Sequence, residues 1–495
     1  MWLQAIFVAV LLFAVCGVLS AYLSHQQQRL ARDVGSSDFQ PSLVETETGR
    51  PIAVEMLANS DSCGTSDCHA GIYQEWRSSA HHWSAEDEFF QEVRSVTTRV
   101  KGVRETEKCG ACHDPVSMLS GHKDPALGRA APGYKEGDSC VICHAVRKVD
   151  ERGIGSYVLG APRAYLYESA SHGYQQAVNH FLIRAYPGQH DLDYALTLLR
   201  QPQSCAPCHK EFDVLDQREG PVQVETQYDD WKHGKWNTDR DPKRRLYCQQ
   251  CHMYLVTTSA QAADPYDLKS ALGGRHRNHA FAAGNQYMPL AIAAHDAPPH
   301  LRMVDEWLRG ERDVAEIAGV WPRGAVVELR IEAPAGIPVR GELAFKIKLT
   351  NRKVGHAFPT GPLNIARAWI EVVVEDVSGH TVYHSGLLDG QNHIEPGSYI
   401  LKPLAINSAG EMVMKPDLWH PVGPQFRPAI LAGQSGEYDY AFHVPHDAAG
   451  PLTVRARLRY AKANQFFMDA VYPTEHREAP ITDVSSAEAV IKLNQ

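Results

Sequence analysis

Ten of the eleven cysteines in this 495-residue chain fall between positions 63 and 251, as five close pairs. Four pairs read Cys-x-x-Cys-His: Cys109, Cys112 and His113; Cys140, Cys143 and His144; Cys205, Cys208 and His209; Cys248, Cys251 and His252. A fifth, Cys63, Cys68 and His69, has four residues between its cysteines. This pattern suits covalent haem attachment. Two thiols add across two vinyl groups, which fixes their separation, and the next residue sets its imidazole beneath the iron. Four intervening residues also reach, because the loop between the cysteines bulges away. A zinc site explains paired cysteines but not a histidine after every pair. A redox dithiol needs one pair, and structural disulfides do not demand so regular a spacing. Five covalent haem c groups are therefore the expected cofactors.

The motifs occupy 190 residues from Cys63 to His252, or 38 per haem. So little polypeptide cannot wrap five separate macrocycles in apolar cores, so the haems must pack on one another, which is also what electron hopping requires. Each iron needs a sixth ligand or keeps an open position. Histidines outside the motifs are abundant, and bis-histidine ligation is their simplest use. Local context favours His81 or His82 (after Trp76-Arg-Ser-Ser-Ala), His122, His190, His233 (in Trp231-Lys-His-Gly) and His279 (before Ala-Phe281). His172, His180, His276, His295 and His300 stand in reserve. His356 has two readings: a ligand swung toward a haem at a domain boundary, or a polar residue in a turn fixed by Pro359 and Gly361.

The elements that must position these residues change character along the chain. Residues 1–24 carry no charge and are long enough to span a bilayer, so they read as a signal-anchor or signal peptide. Cys16 lies within them, and Val15 before it is a poor fit to a lipidation site. Residues 25–58 are polar and broken by Gly, Ser and Pro, and read as a tether. Residues 59–320 form the expected pentahaem domain, mainly helical and loop-rich, with helices around Gly71 to Arg77 and His300 to Gly310. From 321 to 495 the texture is that of short strands separated by turns: Val326 to Glu332, Glu342 to Thr350, Ala368 to Glu375, Tyr438 to Val444 and Leu452 to Tyr460. The fold class expected is α+β, a multihaem cytochrome domain followed by an all-β sandwich of immunoglobulin-like type. The sandwich holds no nucleophile elbow, phosphate loop or paired-carboxylate site, and no catalytic residue is assigned anywhere.

The net charge of −9, from 49 basic and 58 acidic residues, argues against a nucleic-acid partner.

Trp76-Arg-Ser-Ser-Ala-His81 after the first motif, and Trp231-Lys-His233-Gly before Cys248-Gln-Gln-Cys251-His252-Met253, resemble the multihaem cytochromes related to hydroxylamine oxidoreductase and its tetrahaem cytochrome partner. Gly355-His356-Ala-Phe358-Pro359-Thr360-Gly361 is similar to a segment in the β-rich tails of such proteins. The resemblance covers roughly residues 60–470 and implies a helical haem domain, stacked haems and mostly bis-histidine coordination. Hydroxylamine oxidases carry more haems and a tyrosine cross-link that no residue here is seen to provide. Pentahaem nitrite reductases match by count, but they use a proximal lysine, and no Cys-x-x-Cys-Lys occurs.

Together these features lead to an expectation of electron transfer through five haems in the periplasm or at the outer face of the cytoplasmic membrane, anchored by residues 1–24. The expected partners are a quinol dehydrogenase or other cytochromes. The alternative is an oxidoreductase acting on a small nitrogen or sulfur species at one open-coordinate haem.

Overall fold

The computed structural model describes residues 39–64, 68–167, 173–214, 221–257, 274–292, 297–361, 365–401 and 429–494. Segment 1–24 with Cys16 lies outside them, as do His172 and His295. Among the described residues no helix is long and apolar enough to cross a membrane. The architecture is mixed: short helices dominate before residue 310 and long strands follow residue 326.

The helices that matter for the site are α1 (Ala70–Arg77), α2 (Glu88–Lys101), α3 (Glu107–His113), α4 (Cys140–His144), α5 (Pro187–Tyr194), α6 (Gln227–His233), α7 (Cys248–His252) and α8 (Ala297–Arg309). Helix α2 shows why such segments form. Asp87 caps it by accepting from the Phe89 amide at 3.1 Å, Glu88 lies in its first turn, and Arg99 and Lys101 lie in its last. It buries Phe89, Phe90 and Val93. Helix α8 ends at Gly310, whose φ is +67° and whose missing side chain admits the Gly324 carbonyl.

Residues 39–58, expected as part of a tether, instead pack into the motif region. Phe39, Val44, Ile52 and Leu57 are buried with Val116, Leu119 and Ile142. Glu45–Thr46 also pairs in parallel with Tyr157–Leu159. Four buried apolar residues at 39, 44, 52 and 57 follow no period, so the sequence alone does not reveal their common burial.

Beyond residue 326 the strands are β1 (Val327–Glu332), β2 (Gly336–Pro338), β3 (Glu342–Asn351), β4 (Arg367–Glu375), β5 (Thr381–Ser385), β6 (Ile400–Leu401), β7 (Ser435–His443), β8 (Leu452–Ala461) and β9 (Ile481–Asn494). One sheet has the order β7-β3-β1; the other has the order β5-β4-β8-β9-β2, with β6 also paired to β4. Alternate residues of both sheets (Leu343, Phe345, Ile347 and Leu349 from β3; Leu452, Val454, Ala456 and Leu458 from β8) meet in one apolar cluster. The five strands read from alternation are present within three residues at each end, while β5, β9 and helix α9 (Gln465–Val471) were not foreseen. The reason is visible in β9: Asp483 and Ser485 interrupt the row of Ile481, Ala487, Ala489 and Ile491, and the strand is held by pairing with β8 over ten residues.

Strand β4 is buried on both faces and joins the two regions. Ala368, Ile370 and Val372 face the sandwich. Trp369, fully buried, packs instead with Phe467 of α9 and with Phe89 and Val93 of α2.

Candidate haem-binding sites

Local structure gives each motif its geometry. In α3, α4 and α7 the two cysteines and the histidine stand at positions i, i+3 and i+4 of one helical turn. Residues so spaced share a face, so both thiols and the imidazole present to the same side. At the fourth motif a 3₁₀ turn, Pro202–Cys205, does the same work, and the His209 amide donates to the Cys205 carbonyl at 3.0 Å. In the wider first motif, the His69 amide closes onto the Cys63 carbonyl at 2.9 Å.

Four motif histidines face a second histidine. Ring centroids are 6.3 Å apart for His69 and His190, 6.2 Å for His209 and His81, 6.3 Å for His144 and His279, and 6.3 Å for His252 and His356. The ring planes are 17°, 73°, 19° and 6° apart, respectively. A metal bonded at about 2.0–2.1 Å to one nitrogen of each ring requires centroids about 6 Å apart. The four pairs therefore fit an axially ligated iron without rearrangement.

The remaining ring nitrogens fix the orientation. Nδ1 of His144 donates to the Tyr194 carbonyl (3.1 Å), that of His252 to Ala282 (2.8 Å), that of His279 to Arg277 (2.7 Å) and that of His356 to Ala357 (2.9 Å). A proton held on Nδ1 leaves the Nε2 lone pair for a metal. Burial pushes His81 and His279 down to about 3, and His209 and His356 down to about 4, so these rings are neutral and competent as ligands.

Supporting residues come from distant parts of the chain. Glu75 of α1 accepts from the His279 amide at 2.9 Å and binds His276 Nε2 at 3.1 Å, pinning the loop that carries His279. Phe281 packs on His81 at 4.1 Å. His356 sits in a loop held by the fully buried Asn351, whose amide donates to the carbonyls of His356 and Ile430. The indole nitrogens of Trp236 and Trp321 both donate to the Lys353 carbonyl, fastening this loop to the motif region. Of the two readings open for His356, the geometry favours the ligand.

The second motif differs. The ring packed on His113 is Phe90, with centroids 4.8 Å apart and planes 9° from parallel. That leaves no space for an iron between them, so Phe90 is a neighbour of the imidazole and not a group across the metal. Among the described residues no histidine ring stands opposite His113.

Other expected ligands lie elsewhere. His82, the alternative to His81, turns toward Trp76 (4.4 Å) and its Nε2 meets the Lys135 carbonyl at 3.1 Å. His122 Nδ1 bonds the Ser120 hydroxyl at 3.0 Å. His233 bonds the Asp229 carbonyl one helical turn back, at 2.9 Å on an exposed surface. None of the three faces a motif histidine; His122 and His233 find partners within four residues and His82 one in a distant loop, and sequence context cannot tell these from a ligand. Of the reserves, His276 binds Glu75, and His300 is buried beside Trp83 with centroids 5.6 Å apart.

The thiols of different motifs adjoin. Cys63 lies within hydrogen-bonding reach of Cys140, Cys112 of Cys208, and Cys205 of Cys248. The attachment points of neighbouring sites are thus side by side.

No family model matches the chain, and no curated protein does. Among solved structures, a penta-heme cytochrome c552 from Thermochromatium tepidum is similar over 88% of this chain and 100% of its own, with TM-score 0.53 and 18% identity. The CARDB domain of a Pyrococcus furiosus protein and a β-galactosidase from Bacteroides fragilis each match 34% of the chain, at 8% and 11% identity and TM-scores of 0.15 and 0.16. The first likeness shows the fold: this chain has the fold of a multihaem cytochrome c.

Proposed function

We propose that the chain is an electron-transfer protein carrying five covalent haem c groups. The observation that carries this reading is the set of four histidine pairs spaced for an axially ligated iron. With imidazole on both sides the residues leave no position for a substrate, and the chemistry haem supplies there is one-electron exchange between ferric and ferrous states. The chain's own part is to keep the imidazoles neutral and oriented, through burial and the Nδ1 hydrogen bonds. It also sets the attachment thiols of neighbouring sites together, so that electrons travel a short way through protein. Similarity to a protein described as a penta-heme cytochrome supports the count of five.

The reading extends to kinship with the hydroxylamine oxidoreductase-related cytochromes, and to an immunoglobulin-like class for the sandwich. It also includes a periplasmic location with residues 1–24 as membrane anchor, and a quinol dehydrogenase or another cytochrome as redox partner. The test is low-temperature EPR of the oxidised protein with haem content fixed by intact mass. Five haems, at least four of them low-spin with histidine–histidine signatures, are expected; fewer than four such signals would refute the reading.

One observation favours a second reading, an oxidoreductase acting on a small nitrogen or sulfur species. Among the described residues no histidine stands opposite His113. A high-spin signal that shifts on adding nitrite, hydroxylamine or cyanide would put that reading first.

A further inference from the structure

The chain as a whole is acidic, at −9, yet one short loop reverses the sign. Residues 235–245 hold Lys235, Arg240, Lys243, Arg244 and Arg245 against Asp239 and Asp241. Both carboxylates are already engaged inside the loop. Asp239 pairs with Arg244 at 3.4 Å, and Asp241 caps the turn Pro242–Arg244 by accepting from the Lys243 amide at 3.0 Å. Lys235, Arg240, Lys243 and Arg245 form no ion pair with a carboxylate among the described residues. Every residue of 240–245 is exposed.

The cations stand on a fixed platform. The Leu246 amide donates to the Trp236 carbonyl at 2.9 Å, which closes the loop, and Arg245 Nε donates to the Asp239 carbonyl at 3.0 Å across it. Trp236 and Leu246 are buried in one apolar cluster, and Cys251 packs against that cluster. Both ends of the loop are rooted in one haem site. Tyr247 leads directly into α7, and its amide donates to Gln250 Oε1 at 2.8 Å. At the other end Gly234 lies against the residue before His356: a Cβ placed on it would come within 3.0 Å of the Gly355 carbonyl oxygen. The loop therefore joins the attachment turn of His252 to the segment that supplies His356, the histidine facing it.

We propose that residues 235–245 are the docking surface for an acidic electron-transfer protein, seating that partner against the Cys248–His252 site. The proposal rests on the electron-transfer reading. A negative partner is repelled by the chain's net charge and drawn to this one basic loop, so attraction and orientation come from the same residues. A single electron then passes between partner and site, one side oxidised as the other is reduced, and no bond forms. An anionic lipid surface fits the loop less well, because residues 237–245 contain no large apolar side chain to enter it.

The test uses the holoprotein with five haems verified by mass and plant-type ferredoxin, a small acidic one-electron carrier of low potential, as probe. Stopped-flow reduction of wild type is expected to be fast at low ionic strength and to slow as salt is added. Arg240→Glu with Lys243→Glu should lower the second-order rate constant about tenfold or more at low salt, with haem spectra unchanged. Arg340→Glu with Lys492→Glu, the same charge change on exposed residues of the sandwich, should leave it within about twofold. Carbodiimide cross-links to the carrier should map to Lys235 and Lys243. Equal slowing in both double variants, no slowing in the loop variant, or cross-links confined to other lysines would overturn the proposal. Binding to phosphatidylserine vesicles that the loop variant loses, with its ferredoxin rate intact, would overturn it in favour of a lipid surface. A preparation without histidine–histidine EPR signals would instead bring down the electron-transfer reading beneath it.

Discussion

The two regions of this molecule are stabilised by different means. The sandwich buries a continuous apolar cluster built from its own strands, with Leu343, Ile347, Leu349, Ile370 and Val454 fully enclosed. Among the described residues the motif region has nothing comparable: its apolar residues are split into smaller groups around Leu57, Trp236 and Tyr228. Between those groups stand half-buried cysteines and imidazoles that desolvation keeps neutral. A sandwich of this kind is stable through hydrophobic burial alone. The motif region has residues arranged around the space a cofactor occupies, so its stability depends on a covalent group that brings its own apolar surface. The comparison also shows that the regions are not independent. Strand β4 sends Trp369 against α2, and the loop after β3 sends His356 to face His252.

The strongest way to break this comparison is to remove residues 322–495. If the sandwich were only a docking module, the motif region would survive intact. The structure predicts otherwise, because His356 and the Lys353 carbonyl bonded to Trp236 both go with it. Visible spectra of the truncated protein should show the His252 site altered, together with a large loss of thermal stability.

Next in size is Cys109→Ala with Cys112→Ala. Intact mass should fall by one haem, and unfolding should come at lower temperature, because Cys112 adjoins Cys208 of a neighbouring site. Retention of five haems would disprove the attachment assignment.

Ile347→Ala tests the other half of the contrast. The side chain is fully buried in the sandwich, and its loss should cost about 2–5 kcal/mol in denaturant unfolding. Haem absorption in the folded state should not change, since its cluster excludes the motif histidines.

The smallest expected effect is also the most local. His190→Ala should convert one low-spin haem to high-spin, whereas His122→Ala and His233→Ala should leave every EPR signal in place. A changed spectrum in either of the latter two would mean that the pairing is not the one described.

Much of this was legible from the residues themselves. The Cys-x-x-Cys-His turns are local, because a helical turn alone brings positions i, i+3 and i+4 together. The alternation of Glu342–Asn351 and Leu452–Ala461 is local too, and it marks a half-buried strand wherever the strand ends up. Context failed where the deciding partner was distant. His81 and His82 are adjacent and share their neighbours in sequence, yet one faces His209 while the other bonds Lys135. His122 and His233 carried suggestive surroundings and found acceptors within four residues.

What the sequence determined by itself is therefore local: where each cysteine pair stands with a histidine after it, and where strands replace helices. The tertiary structure decided which second histidine stands opposite four of the motifs, because every such pair joins residues more than a hundred positions apart. It also decided that the second motif has Phe90 beside it and, among the described residues, no facing histidine. Short-range spacing is fixed by backbone geometry, whereas the sixth position at an iron is fixed by how distant elements pack. The packing of β4 on α2 is written in no single stretch of the chain.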